Sequence, residues 1–328
     1  MSTNFWQEKI TIGNLSFPRF MAAPLDGVTD SPLRQLIREF SPEALLFSEM
    51  RHVACVANEK DQKSVLHKQF EKPLAFQVTA NTLDFIDVAV EKILAQKFDM
   101  INLNAGCPSR VVIRSGSGSA LMGDRLRLES ILKRIYQLVA GKIPFTLKMR
   151  AGFKIRNAIE VAKMAQDCGV SMIIIHPRTQ PEMSVAPLDF DLAKQVKESI
   201  QIPLVFSGEL KTFADCKATY EKTGVDGFMI GRALWGVPWK IREIMEVSQG
   251  GSFFISRVAS IECAIRHCNL VLEHYGPRGF ASFKKQIPYY VWGLDNAAEI
   301  RKKLVLSESS DEMLSYLKAL ICDEKARE

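Results

Sequence analysis

Between Arg19 and Gly231 the chain repeats one pattern: a short apolar run, then a longer stretch with apolar residues three and four positions apart. The short runs predict strands at Arg19–Ala23, Ala44–Ser48, Pro73–Val78, Asp99–Leu103, Pro144–Met149, Ser171–His176, Pro203–Ser207 and Asp226–Ile230. They are continuous rather than alternating, as strands buried on both faces of a parallel sheet are. The stretches between them predict amphipathic helices; Leu83, Ile86, Val90, Ile93 and Leu94 share one helical face, and so do Leu128, Ile131, Leu132, Ile135 and Leu138. Eight strand-helix pairs predict a (β/α)8 TIM barrel, an α/β fold. A doubly wound open sheet is the alternative, but its first turn carries a Gly-rich fingerprint, and here the first strand runs into Ala23-Pro-Leu-Asp-Gly27. After Trp239 the alternation stops, and the spacing is helical from Phe254 to Lys325. Gly250-Gly251-Ser252 reads as a hinge. The expectation is a barrel domain over residues 1–250 and a small all-helical domain over 251–328.

A length of 328 residues suits that division, since a barrel takes about 250 residues. With 47% hydrophobic and 24% charged residues, the composition is that of a globular protein, neither fibrous nor disordered. The apolar runs are too short to span a bilayer. Met1–Leu15 has no apolar leader core. Seven cysteines without a C-x-x-C pair, and no histidine cluster beside them, argue against a disulfide framework or a metal site. The expectation is a monomer in a reducing cytoplasm, without membrane or metal. A net charge of +6 leans toward a polyanionic partner.

Barrel chemistry sits at the C-terminal ends of the strands. Polar residues fall there at every strand: Asp26, Glu49, Gln77, Asn104 with Cys107, Lys148 with Arg150, His176 with Arg178, Ser207 with Gly208 and Glu209, and Gly231 with Arg232. The last two ends can hold a phosphate, with glycines admitting it to backbone N–H groups and Arg232 pairing with it; tight turns into helices would look the same. Cys107 lies in a Gly-Cys-Pro turn followed by Arg110 and Arg114. Such a site can hold a functional thiol, although a lone cysteine is also a small hydrophobe. Alternation puts Thr146, Lys148 and Arg150 on the inward face of one strand, where a lysine is costly unless used. His176 reaches the barrel mouth or fills the core.

Taken together, Ala23-Pro-Leu-Asp-Gly-Val-Thr-Asp30, Asn104-Ala-Gly-Cys-Pro108, Ser115-Gly-Ser-Gly-Ser-Ala-Leu-Met122, Leu147-Lys-Met-Arg-Ala-Gly152, His176-Pro-Arg-Thr179, Asp226-Gly-Phe-Met-Ile-Gly-Arg232 and Phe283-Lys-Lys-Gln-Ile-Pro-Tyr-Tyr290 resemble the tRNA-dihydrouridine synthase family, in the family's order and over nearly the whole chain. The resemblance implies a bound FMN, NADPH or NADH as reductant, and tRNA as partner. It places Pro24, Gln77, Lys148 and His176 against the flavin, Gly208, Glu209, Gly231 and Arg232 around its phosphate region, and Ser207 where it can donate to a flavin oxygen. It makes Cys107 the acid that protonates C5 of a uracil ring, and sets Asn104 and Arg178 near the target base. The chain departs from the family in four places: Ser207 where asparagine is common, Pro177 where glycine is, Val237 where asparagine is, and Ala105 where a larger residue is. Pro177 also removes a backbone donor.

Two cation-rich stretches agree with an RNA partner: Lys148, Arg150, Lys154 and Arg156 without an acid, and residues 257–303 with eight cations against four acids. A solvated basic face would read the same. Other activities remain open to the same residues: a flavin reductase of a free pyrimidine or small enone, a Schiff-base aldolase with Lys148 as nucleophile, or a silent tRNA-binding protein.

Overall fold

The computed structural model describes residues 5–61 and 65–326, so the first four residues of the N-terminal stretch read for a leader lie outside it. An antiparallel hairpin opens the chain, β1 (Lys9–Ile12) and β2 (Leu15–Pro18). Then come β3 (Phe20–Ala22), β4 (Leu46–Phe47), the two-residue β5 (Arg51–His52), β6 (Leu74–Thr79), β7 (Met100–Ala105), β8 (Phe145–Gly152), β9 (Met172–Thr179), β10 (Leu204–Ser207) and β11 (Gly227–Ile230). Parallel pairing runs β3-β11-β10-β9-β8-β7-β6-β4, and the Ala22 N–H donates to Leu45 O at 3.1 Å to close the ring. Each of the eight predicted strands is found, and each is followed by a helix; the fold is a TIM barrel followed by helices.

Side-chain alternation divides the barrel into two layers. Odd-numbered positions of β7, Ile101 and Leu103, pack outward against helices, as do Leu147 and Met149 of β8. The inward positions are apolar at the N-terminal ends of the strands: Met21, Phe47, Ala75, Met100, Met172, Ile174, Val205 and Met229 form one cluster. Ile10, Ile12 and Phe17 of the hairpin join it and plug that end. Gly227 is needed there, because a Cβ would lie 2.7 Å from Ile10 Cδ1. Further along the same strands the inward positions turn polar, and the site begins. The hairpin was not predicted, although Lys9-Ile-Thr-Ile12 alternates and Gly13-Asn14 is a two-residue turn.

Helices at Arg257–Tyr275, Phe280–Phe283, Ala297–Leu306 and Ser310–Lys325 follow the barrel. Their core includes Leu36 of the helix Ser31–Phe40 and Trp239 at the N-cap of the helix Lys240–Ser248, so the helical region is packed on the barrel. Tyr289 meets Trp235 edge-on at 5.1 Å. Gly236 lies so close beneath it that a Cβ would sit 2.4 Å from Tyr289 Cβ.

A buried polar knot secures the helix Ser31–Phe40. Arg34 Nε donates to Glu71 Oε2 at 2.8 Å, and Ser31 Oγ and the Lys68 N–H donate to Glu71 Oε1. Glu71 is fully buried. Removing one partner of such a pair leaves an uncompensated charge. Glu71→Ala should therefore cost about 3–5 kcal/mol in urea denaturation; a loss below about 1 kcal/mol would show that the pair does not hold this helix.

Candidate active site

Above the apolar layer, neighbouring strands carry inward polar groups that bond to one another. Asn102 Nδ2 donates to Thr146 Oγ1 at 2.9 Å, and Gln77 Nε2 donates to Asn102 Oδ1 at 2.7 Å. Asn104 Nδ2 then donates to Gln77 Oε1 at 2.9 Å. Asn104 Oδ1 accepts the Gly106 N–H at 2.9 Å and the Cys107 N–H at 2.8 Å. The amide of Asn104 thus folds the chain into a turn at the end of β7 and fixes where Cys107 leaves the strand. Two further contacts hold the turn. Arg150 Nε donates to Gly106 O at 2.8 Å, and the N–H and hydroxyl of Ser119 donate to Cys107 O at 3.1 and 2.9 Å. The glycine-rich segment is required here, since a Cβ at Gly118 would lie 2.9 Å from Cys107 O.

A cavity of about 170 Å³ opens at this mouth, lined by residues of six strand ends. Eight residues singled out by sequence line it together: Pro24, Asp26, Gln77, Asn104, Cys107, Lys148, Arg150 and His176. Met50, Gly106 and Pro108 complete the lining. Burial pushes the Cys107 thiol above its ordinary range, more than Lys148 and Arg150 pull it down. Lys148 falls to about 8, first because it is buried and then because Arg150 is near. His176 falls to about 2 through burial and the positive charge of Lys148, Arg150 and Arg178, so its ring is neutral at ordinary pH. The site therefore holds a protonated thiol, a lysine that is mostly cationic at pH 7 and a neutral imidazole.

The first-strand loop is built by its own sequence. Thr29 Oγ1 accepts the Leu25 N–H at 2.8 Å, Gly27 takes φ +71°, and Asp30 caps the following helix at the Leu33 N–H. Ser207, Gly208, Glu209, Gly231 and Arg232 lie outside the cavity lining, at the ends of β10 and β11. They adjoin it through His176, whose Cδ2 is 3.6 Å from where a Gly208 Cβ would stand. Gly208 has φ +146° and faces Leu188 at 2.8 Å by the same measure, so only glycine fits. Arg232 is exposed. Arg178 is also outside the lining; it is buried, donating to Ala186 O and pairing with Glu209.

Three polar groups at this end lack partners among the described residues. His176 Nδ1 and Arg178 Nη1 are buried and unbonded. Lys148 faces the cavity without a carboxylate among the residues that line it except Asp26, which pairs with Arg51. Positive charge and unmet donors around a slot suit a flat ligand rich in acceptors. The cation-rich run from 148 to 156 is not one surface. Lys148 and Arg150 point inward, Arg156 pairs with Glu182 and Asp189, and Lys154 alone is exposed without an ion pair among the described residues.

The sequence model of the family described as "Dihydrouridine synthase (Dus)" matches residues 21–325. The chain belongs to the dihydrouridine synthase family. It is 33% identical over 303 residues to the "Probable tRNA-dihydrouridine synthase" of Rickettsia conorii, covering 89% of this chain and 90% of that one. It is 27% identical over 326 residues to "tRNA-dihydrouridine synthase B" of Pseudomonas aeruginosa, covering 96% and 97%. Among solved structures it resembles histamine dehydrogenase from Rhizobium, with TM-score 0.59 and 15% identity over 82% of this chain and 51% of that one. It also resembles an old yellow enzyme homologue from Zymomonas mobilis, with TM-score 0.55 and 15% identity over 74% and 92%. At that identity the structures speak for the barrel fold alone.

In this dihydrouridine synthase fold, two residues carry more than their sequence signal showed. Arg150 ties the Cys107 turn to Thr179 O and Met183 O, both at 3.0 Å, and Asn102 relays the hydrogen-bond ladder. Arg150 was singled out beside Lys148 but not for these ties, and Asn102 shares the inward parity of Asn104, which was the available clue. No metal-binding group of side chains and no helix long and apolar enough to cross a membrane occurs among the described residues.

Two outcomes follow from the charges. Mass-spectrometric alkylation of the Cys107 peptide should have its midpoint above the ordinary thiol value of about 8.5, and Lys148→Met should raise it further by removing a cation; a midpoint below pH 7 contradicts this. Lys148 binds its proton less well folded than unfolded, so its charge destabilises the fold at low pH and the cost fades as pH rises from about 8. Lys148→Met should melt above wild type at pH 7, with the gap closing toward the unfolded value of about 10.4; a gap that widens with pH would overturn the assignment.

Proposed function

We propose that the protein is an FMN-dependent tRNA-dihydrouridine synthase that reduces the C5–C6 double bond of uridine in tRNA, with NADPH or NADH as reductant and Cys107 as the proton donor. One observation carries the reading: within a dihydrouridine synthase chain, a protonated thiol and a cationic lysine face the same cavity at the C-terminal mouth of the barrel. Relatives carry tRNA in their names, and the exposed Arg110, Arg114 and Lys154 near the mouth suit a phosphate backbone.

The unmet donors fit a flavin. Pro24, Gln77, Lys148 and His176 would hold the ring, and Ser207, Gly208, Glu209, Gly231 and Arg232 its phosphate arm. When bound and reduced, FMN supplies hydride to C6 of uracil. This chain's residues do the rest. Lys148 would keep a positive charge beside the ring and so stabilise negative charge there. His176, neutral, offers a hydrogen bond without adding charge. As electron density moves into the C5–C4–O4 system of uracil, the Cys107 thiol gives its proton to C5 and becomes a thiolate, which solvent reprotonates. Lys148 and Arg150 stabilise that thiolate. Asn104 acts on the base through the turn it holds and through its remaining amide hydrogen. Arg178 braces Glu209 and keeps one buried, unbonded guanidinium nitrogen.

The lowered Lys148 is also what a Schiff-base amine needs, but membership in the dihydrouridine synthase family favours the reductase. The purified protein should be yellow. Cys107→Ala should keep its flavin spectrum while forming dihydrouridine in tRNA about 10²–10⁴-fold more slowly, the usual share of a general acid. Full turnover by that variant would remove Cys107 from the role, and activity on free uridine alone would remove tRNA.

A further inference from the structure

Trp292 is 69% exposed, the most solvent-accessible tryptophan of the chain; Trp239 is buried, and Trp6 and Trp235 are partly buried. It is not at a loose end. Tyr290 and Val291 before it and Leu294 after it are buried in the helical region's core. The Tyr290 hydroxyl and His267 Nδ1 hydrogen-bond at 2.9 Å, and Ser260 Oγ donates to Tyr290 O at 2.7 Å. Gly293, at φ +81°, turns the chain between these anchors. An indole is thus held outward between buried anchors. The Arg301 guanidinium stands over its ring at 5.0 Å from the centroid. An arginine stacked on tryptophan adds charge to a flat apolar surface.

The surroundings select the partner. Residues 278–303 hold six cations, Arg278, Lys284, Lys285, Arg301, Lys302 and Lys303, against Asp295 and Glu299. Arg278, Lys285 and Lys302 are exposed and carry no ion pair among the described residues. The frame also touches the barrel: Tyr289, three residues before Trp292, packs on Trp235 in the turn that follows Arg232 at the end of β11. At no more than about 3.6 Å per residue, Trp292 stands within roughly 11 Å of Tyr289, Cα to Cα. A polyanion lying over the barrel mouth and the helical region would bring a base within reach of this indole.

We infer that Trp292, backed by Arg301, is a stacking platform for an unpaired base of the tRNA, away from the catalytic cavity. The inference rests on the tRNA reading above. Aromatic stacking accepts any base, so the platform adds affinity and orientation rather than sequence readout. It would hold the RNA while the target uridine enters the cavity.

The test uses the flavin-loaded protein and unmodified tRNA. Trp292→Ala should weaken tRNA binding roughly 5- to 100-fold, the range for loss of one base–aromatic stack. Trp292→Phe should recover most of it, and Arg301→Ala should weaken binding and flatten its salt dependence. Flavin content, thermal midpoint and flavin reduction by NADPH should not change in any of them. Binding of tRNA should quench tryptophan emission in wild type and much less in Trp292→Phe. If wild type binds tRNA and Trp292→Ala binds it within twofold, the platform is overturned while the tRNA reading stands. If Trp292→Ala alters only self-association in sedimentation, the indole serves a protein contact and the inference fails. If wild type binds no tRNA, both fall.

Discussion

The site depends on one side-chain amide. Asn104 accepts two successive backbone N–H groups with a single oxygen and so determines how the chain turns from β7 toward Cys107. That amide is oriented from behind by Gln77, Asn102 and Thr146, on three adjacent strands. Each member of the ladder is buried, so an unmade bond would carry the desolvation cost of a lone polar group. The barrel thus positions the thiol with rigid sheet rather than loop. It can do so because the apolar plug formed by the N-terminal hairpin fills the lower barrel and leaves the upper layer free for polar groups.

Electrostatics within that layer divide the labour. Burial works on all three titratable groups, but in opposite senses of charge: it keeps Cys107 as a thiol and His176 as a neutral ring, and it lowers Lys148 to about 8. Lys148 and Arg150 oppose the effect on Cys107, which makes the thiol a donor whose thiolate is tolerated once the proton has gone. A single low-dielectric pocket therefore supports an acid and an electrostatic partner at the same pH.

Much of this was legible in the chain. The eight apolar runs predicted the eight strands because strands of a parallel barrel are buried on both faces and leave a strong signal. Inward parity of Thr146, Lys148 and Arg150 followed from alternation alone. What stayed hidden is relational. That Arg156 is spent on Glu182 and Asp189, and Arg178 on Glu209, depends on loops that meet only in three dimensions. That Trp292 faces solvent beside Arg301, next to buried Tyr290 and Val291, could not be read from a helical pattern. The hairpin, by contrast, had a readable turn at Gly13-Asn14, but its role as a barrel plug depends on Gly227, more than two hundred residues away.

The most direct measurement is a crystal structure of the protein with oxidised FMN and a uridine-containing RNA, read for one distance. The account predicts Cys107 Sγ about 3–3.5 Å from C5 of the uracil, on the face opposite the flavin ring, the separation of atoms poised to react. A uracil whose C5 faces His176 or Lys148, with the sulfur turned into the glycine-rich segment behind it, would contradict it.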